Sequence, residues 1–256
     1  MIRLILVASF VIGFLLFFSG VLFQLKRLGK TDWETAEWKS LNIVRRAFSV
    51  ILKTAGVKVT VKGAEHIPSD TPVLYVGNHR SYFDILVGYT TVPGLLGFVA
   101  KKEMLKIPLL SQWMVQVNCL FMDRQNVKEG LKTILQGIDK IKHGVSIWIF
   151  PEGTRNRNEK ETDLLPFKEG SLKIAEKTGC PVIPVAITGT ADVFEKHLPF
   201  IRPARVTIEF GEPFFVKELP PEQKKFPGAY TRDRILEMLE REQHGLTGDQ
   251  EAAGQH

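Results

Sequence analysis

The sequence predicts an α/β fold: a mostly parallel sheet flanked by helices, preceded by an N-terminal membrane-associated helical segment. Three observations carry this. Short apolar runs of strand type recur from residue 57 onward, separated by helix-compatible stretches. One intervening stretch, 126 to 144, has a clear helical period, and strands alternating with helices imply parallel pairing. The first 25 residues are too apolar for an ordinary soluble leader.

The run LILVASFVIGFLLFFSGVLF, residues 4 to 23, is 20 residues without a charge. As a helix it would cover about 30 Å, the thickness of the bilayer hydrocarbon. No small-residue cleavage site follows it, so a retained anchor is favoured over a signal peptide. Lys26, Arg27 and Lys30 after the run, against Arg3 before it, place the body on the cytoplasmic side. TDWE (31 to 34) has the spacing of a capping box, and helical texture then continues to Gly56, a natural C-terminal stop. On a helical wheel Trp33, Leu41, Val44, Ala47, Phe48, Ile51 and Ala55 share a face. Lys39, Arg45, Arg46 and Lys53 lie opposite, and Glu37 interrupts the apolar side. Such a helix fits either the bilayer interface or the cover of a domain core.

Strand candidates follow at 57–62, 73–77, 96–100, 119–122, 146–150, 182–187 and 205–210. Between the fourth and fifth, Val127, Leu131, Ile134, Leu135, Ile138 and Ile141 form a helical stripe closed by Gly144. The polar end of the chain predicts disorder. The expected organisation is an anchor and amphipathic helix at 1–55, an α/β domain at 56–242 and a disordered tail at 243–256.

Lysine and arginine number 34 against 28 acidic residues, a net charge of +6, which suits anionic partners. The interleaved aromatic and basic pattern of a nucleic-acid surface is missing, so nucleic acid is discounted. Cys119 and Cys180 sit in apolar runs without metal-ligand spacing and read as buried free thiols; no metal site is expected.

Polar groups collect at strand ends. NHRSYFD (78 to 84) follows the second strand, and Asp84 reads as a helix N-cap, a role that leaves His79 unexplained. VAKKE ends a third strand with Lys101 and Lys102, FMDR ends a fourth with Arg124, and FPEGTR ends a fifth with Glu152, Gly153, Thr154 and Arg155. Cations beside a glycine that exposes backbone N–H groups are what a phosphate monoester needs.

In this order NHRSYFD, FMDR, FPEGTR and VIPVAI resemble the motifs of the glycerolipid acyltransferases that carry N-H-x-S-x-x-D, over residues of about 60 to 215. That family often has Ser where this chain has Asn156. The resemblance implies transfer of an acyl group from a thioester to the sn-2 hydroxyl of lysophosphatidic acid. The alternatives are glycerol 3-phosphate or a lyso-aminolipid as acceptor, or a non-catalytic membrane-anchored lipid-binding protein. It implies His79 as general base and Asp84 as its partner, a role an imidazole suits near neutral pH. Lys101, Arg124, Glu152, Gly153, Thr154 and Arg155 are the expected substrate-binding set. Glu152, itself anionic, would orient an arginine or accept a hydrogen bond from a glycerol hydroxyl or a backbone N–H. Ser81 reads as a turn residue, and no G-x-S-x-G elbow occurs. No cofactor is implied beyond acyl-CoA or acyl carrier protein as co-substrate. The implied location is the bacterial inner membrane, with its lipid as partner.

Overall fold

The computed structural model describes residues 1–123 and 126–253. Its strands are β1 (Lys58–Lys62), β2 (Leu74–Gly77), β3 (Leu96–Lys101), β4 (Leu120–Met122), β5 (Ser146–Ile149), β6 (Val182–Thr188) and β7 (Arg205–Phe210). Each falls within a residue of its expected position. They form one sheet in the order β1-β7-β6-β2-β5-β3-β4, and every neighbouring pair is parallel except β6–β7. The helices are α1 (Ile2–Phe17), α2 (Ser19–Leu28), α3 (Trp33–Ala55), α4 (Phe83–Thr91), α5 (Leu110–Gln116), α6 (Val127–Lys142), α7 (Lys173–Thr178), α8 (Pro221–Lys225) and α9 (Pro227–Ala253).

All four residues of β2 and of β5 are buried, as central strands covered on both faces are. Leu74, Val76, Ile147 and Ile149 face α6, α7 and α9 on one side. Tyr75, Trp148, Phe98 and Ile183 face α2 to α5 on the other. Helix α4 can lie against the sheet there because Gly88 has no side chain: a Cβ would come within 2.8 Å of the Phe98 ring.

The N-terminal run is not one straight helix. α1 and α2 meet at a 49° bend around Phe18, and no single helix among the described residues is long and apolar enough to cross a membrane; the bent pair together passes on length and composition. The break falls at Phe18, next to the Ser19-Gly20 pair that opens α2, where the Ser19 hydroxyl donates to the Leu16 carbonyl; such pairs are a common cause of kinks. α1 packs Phe10, Phe14 and Leu15 against the core and leaves Ile2, Ile5, Leu6, Ile12, Leu16 and Phe17 exposed.

In α3 the side chain that caps the start is Asp32, accepting the Thr35 N–H at 3.0 Å, because Thr31 is engaged in closing α2 through the Leu28 carbonyl. Gly56 ends the helix with φ 79°. Leu41, Val44, Ala47 and Ile51 are buried, so this face covers the domain, and Trp33 remains exposed. Arg45 does not belong to a free basic face. Its guanidinium donates to the carbonyls of Tyr89, Val92 and Gly94, satisfying the unpaired end of α4. Glu37 pairs with Lys140 of α6 at 3.2 Å. In α6 itself Ile141 is buried, while Leu131 and Leu135 of the expected stripe are exposed; the side chain of Val127 lies outside the described residues. The backbone of α9 continues as helix to Ala253, where a disordered tail was expected from residue 243. The last three residues lie outside the described range.

Candidate active site

The site is built on the end of β2, at the carboxyl edge shared with β5, β6, β3 and β4. Where β2 stops at Gly77, the buried Asn78 side chain continues the pairing with β6. Its amide donates to the Ile187 carbonyl and accepts the Ile187 N–H, both at 2.8 Å. This holds the chain in place just as it releases His79 over the sheet edge.

His79 is fixed on four sides. Its Nδ1 lies 2.8 Å from Oδ2 of Asp84, and its ring stacks on Phe150 with 4.1 Å between centroids. Its backbone N–H donates to Oε1 of Glu152 at 2.8 Å, and its carbonyl accepts the Asn156 N–H at 2.6 Å. The FPEGTR turn therefore clamps the histidine backbone, and the direct Asn156 contact to His79 is a main-chain one. A carboxylate only accepts, so Nδ1 carries a proton, and in the neutral imidazole Nε2 then holds the lone pair. Nε2 has no hydrogen bond among the described residues.

Asp84 stands inside the first turn of α4 rather than at its N-cap. Its Oδ2 also accepts the N–H groups of Arg80 and Ser81 at 2.8 Å, and its Oδ1 accepts the Thr190 hydroxyl at 2.5 Å. The carboxylate reaches back across the turn, and within that turn the Ser81 Oγ accepts the Phe83 N–H at 3.0 Å. The reading of Asp84 as a cap is corrected, and that of Ser81 as a turn residue stands.

Glu152 is buried, with Oε2 accepting the Leu165 N–H at 3.1 Å. Both its oxygens accept backbone N–H groups, the last of the roles expected for it. Burial pushes its carboxyl above the ordinary range, partly offset by the His79 and Leu165 N–H groups. Gly153 adopts φ 75°, and its N–H closes the turn onto the Phe150 carbonyl at 3.0 Å. That donor is spent, so the expected anion contact through the Gly153 backbone is corrected. Thr154 is exposed beside it.

Arg155 donates through Nη1 to Oε1 of Glu195 at 3.1 Å and lies 3.8 Å over the centre of the Tyr82 ring. Lys101 is exposed at the end of β3, two strands from His79. Lys102 pairs with Asp123 at 3.4 Å. Arg124 lies outside the described residues. The edge of the sheet thus gathers His79, Asp84, Glu152 and Arg155 into one bonded cluster, with Lys101 to the side.

Thr190, Glu195 and Arg80 were not picked out from sequence. Arg80 is buried and ties the loop after FPEGTR through the carbonyls of Asn158 and Lys160. Its place inside NHRSYFD was a usable signal. Thr190 and Glu195 had none, lying more than a hundred residues from the Asp84, Ser81 and Tyr82 groups they bind.

The chain as a whole resembles known proteins. The profile of a family described as Acyltransferase matches residues 58–188. The 1-acyl-sn-glycerol-3-phosphate acyltransferase of Borreliella burgdorferi is 32% identical over 201 residues, covering 78% of this chain and 79% of that protein. The human 1-acyl-sn-glycerol-3-phosphate acyltransferase alpha is 30% identical over 62% of this chain, a match that spans 55% of the human protein. The crystal structure of PlsC, the 1-acyl-sn-glycerophosphate (LPA) acyltransferase of Thermotoga maritima, superposes with a TM-score of 0.79 at 28% identity. It covers 94% of this chain and 95% of that one.

Proposed function

The chain belongs to the acyltransferase family, and on that premise we propose that it transfers a fatty acyl group from a thioester to the sn-2 hydroxyl of lysophosphatidic acid. The product is phosphatidic acid. The observation that carries the reading is the His79–Asp84 pair, with Nδ1 committed and Nε2 open. As the acceptor hydroxyl attacks the thioester carbonyl, Nε2 takes its proton and Asp84 stabilises the imidazolium. The tetrahedral intermediate collapses with loss of the thiolate, which recovers the proton from Nε2. The nucleophile is the substrate's own oxygen, so no enzyme ester forms.

Arg155 fits a contact to the acceptor phosphate, with Lys101 and Arg124 as further cations of the same clamp. The acyl group arrives on coenzyme A or acyl carrier protein. The exposed apolar row of α1 supports work at a membrane surface, where such an acceptor resides.

The test is incubation of purified protein with labelled acyl-CoA or acyl carrier protein and, in parallel, lysophosphatidic acid, glycerol 3-phosphate or a lyso-aminolipid, followed by identification of the lipid product. Phosphatidic acid is the expected product. Labelling only of glycerol 3-phosphate or a lyso-aminolipid would overturn the acceptor assignment. Near-normal turnover by a folded His79→Ala variant would overturn the base role.

A further inference from the structure

Glu195, in the short turn Glu195–His197 that follows β6, joins two segments that both border the site. Its Oε2 accepts the Ser81 hydroxyl at 2.5 Å, and its Oε1 accepts the Tyr82 N–H at 2.9 Å together with Nη1 of Arg155. The Glu195 side chain is 17% exposed and that of Arg155 26%. A carboxylate this close to a phosphate site works against anion binding by repulsion, so its presence calls for a compensating gain.

The gain is orientation. A guanidinium is a planar fork whose edges bind oxyanions two bonds at a time. Here one face rests on the Tyr82 ring, and Nη1 is the nitrogen with a hydrogen-bond partner among the described residues. Two constraints fix the plane, and the Nε–Nη2 edge is left for a ligand. We infer that Glu195 is a positioning residue that presents this edge of Arg155 to the acceptor phosphate. The inference rests on the functional reading above for the identity of the anion. It deepens that reading by assigning acceptor recognition to a residue outside every motif.

The test compares binding of lysophosphatidic acid with that of the monoacylglycerol of the same chain, by titration calorimetry in detergent micelles without acyl donor. The difference isolates the phosphate. Glu195→Gln keeps an acceptor oxygen at the same reach and is expected to hold phosphate-dependent affinity within about threefold. Glu195→Asp keeps the charge, withdraws it by one methylene, and is expected to lose about tenfold, the worth of one charge-assisted hydrogen bond. In an Arg155→Ala background the Asp substitution is expected to cost nothing further. An equal loss in that background would show a merely structural role. Tighter binding in either variant would make Glu195 a competitor of the phosphate. Wild-type protein without phosphate-dependent affinity would also overturn the inference. The expected pattern combined with failure to form phosphatidic acid would leave the inference standing and sink the functional reading.

Discussion

Oδ2 of Asp84 stands 2.8 Å from Nδ1 of His79 and takes, at the same distance, the N–H groups of Arg80 and Ser81. One oxygen atom thus shapes the turn and selects the tautomer of the imidazole within it.

The two jobs separate in Asp84→Asn. The amide oxygen can occupy the Oδ2 position and hold the turn, but a neutral group cannot stabilise an imidazolium. The variant is expected to remain folded while kcat falls by about 10²–10⁴, the usual worth of a general base. Circular dichroism and turnover on the same sample check this; wild-type turnover would reduce Asp84 to a turn former.

Thr190→Val tests the far side of the same carboxylate. Thr190 is buried and its hydroxyl is the partner of Oδ1. An isosteric methyl leaves a buried acceptor without a donor, at about 1–3 kcal/mol. Urea denaturation should show that loss, with a fall in kcat, and Thr190→Ser should recover both. Unchanged stability in the valine variant would refute the accounting.

Glu152 carries a pH signature. Its carboxyl is raised above the ordinary value of 4.5 by burial. The folded state therefore binds more protons there than the unfolded state. The stability this group contributes is full below 4.5 and is lost as pH rises through its folded value. Glu152→Gln removes the titration, while Glu161, also raised by burial, is retained in both proteins. The stability of the variant relative to wild type is expected to improve as pH rises from about 4.5, as read from urea melts across pH. Its turnover should nevertheless fall, because the new amide group opposes the Leu165 N–H and loosens the clamp on His79. A pH-independent difference would contradict the burial argument.

What could be read from sequence follows from the range of the forces involved. The strands were legible because burial on both faces demands unbroken apolar runs, and β2 and β5 obey that rule residue by residue. His79, Asp84 and Glu152 were legible because they sit at the ends of those runs. Glu195 and Thr190 were not: β6 delivers them beside β2 through strand pairing, and nothing local marks them. Arg45 looked like surface charge because a helical wheel does not show the carbonyl end of α4 that packs against it. The apolar run 4–23 looked like one helix because composition does not register the break at Phe18, next to Ser19-Gly20.

That break sets the last prediction. α1 contains no fully buried residue, whereas Leu22 and Leu25 of α2 are buried in the core with Leu41 and Val44 of α3. The two helices should therefore differ in what their removal does. Deleting residues 1–17 is expected to keep the α/β domain folded, with a modest loss from the partly buried Phe10 and Phe14. It should release the protein from vesicles in flotation and lower activity on long-chain acceptors in bilayers more than on short, soluble ones. Deleting residues 1–28 removes the Leu22 and Leu25 side chains as well, and each large buried aliphatic is worth about 2–5 kcal/mol. That truncation should melt at a clearly lower temperature or fail to fold. Equal membrane binding by full-length protein and the 1–17 deletion would remove α1 from the attachment, and equal stability of the two truncations would remove α2 from the core.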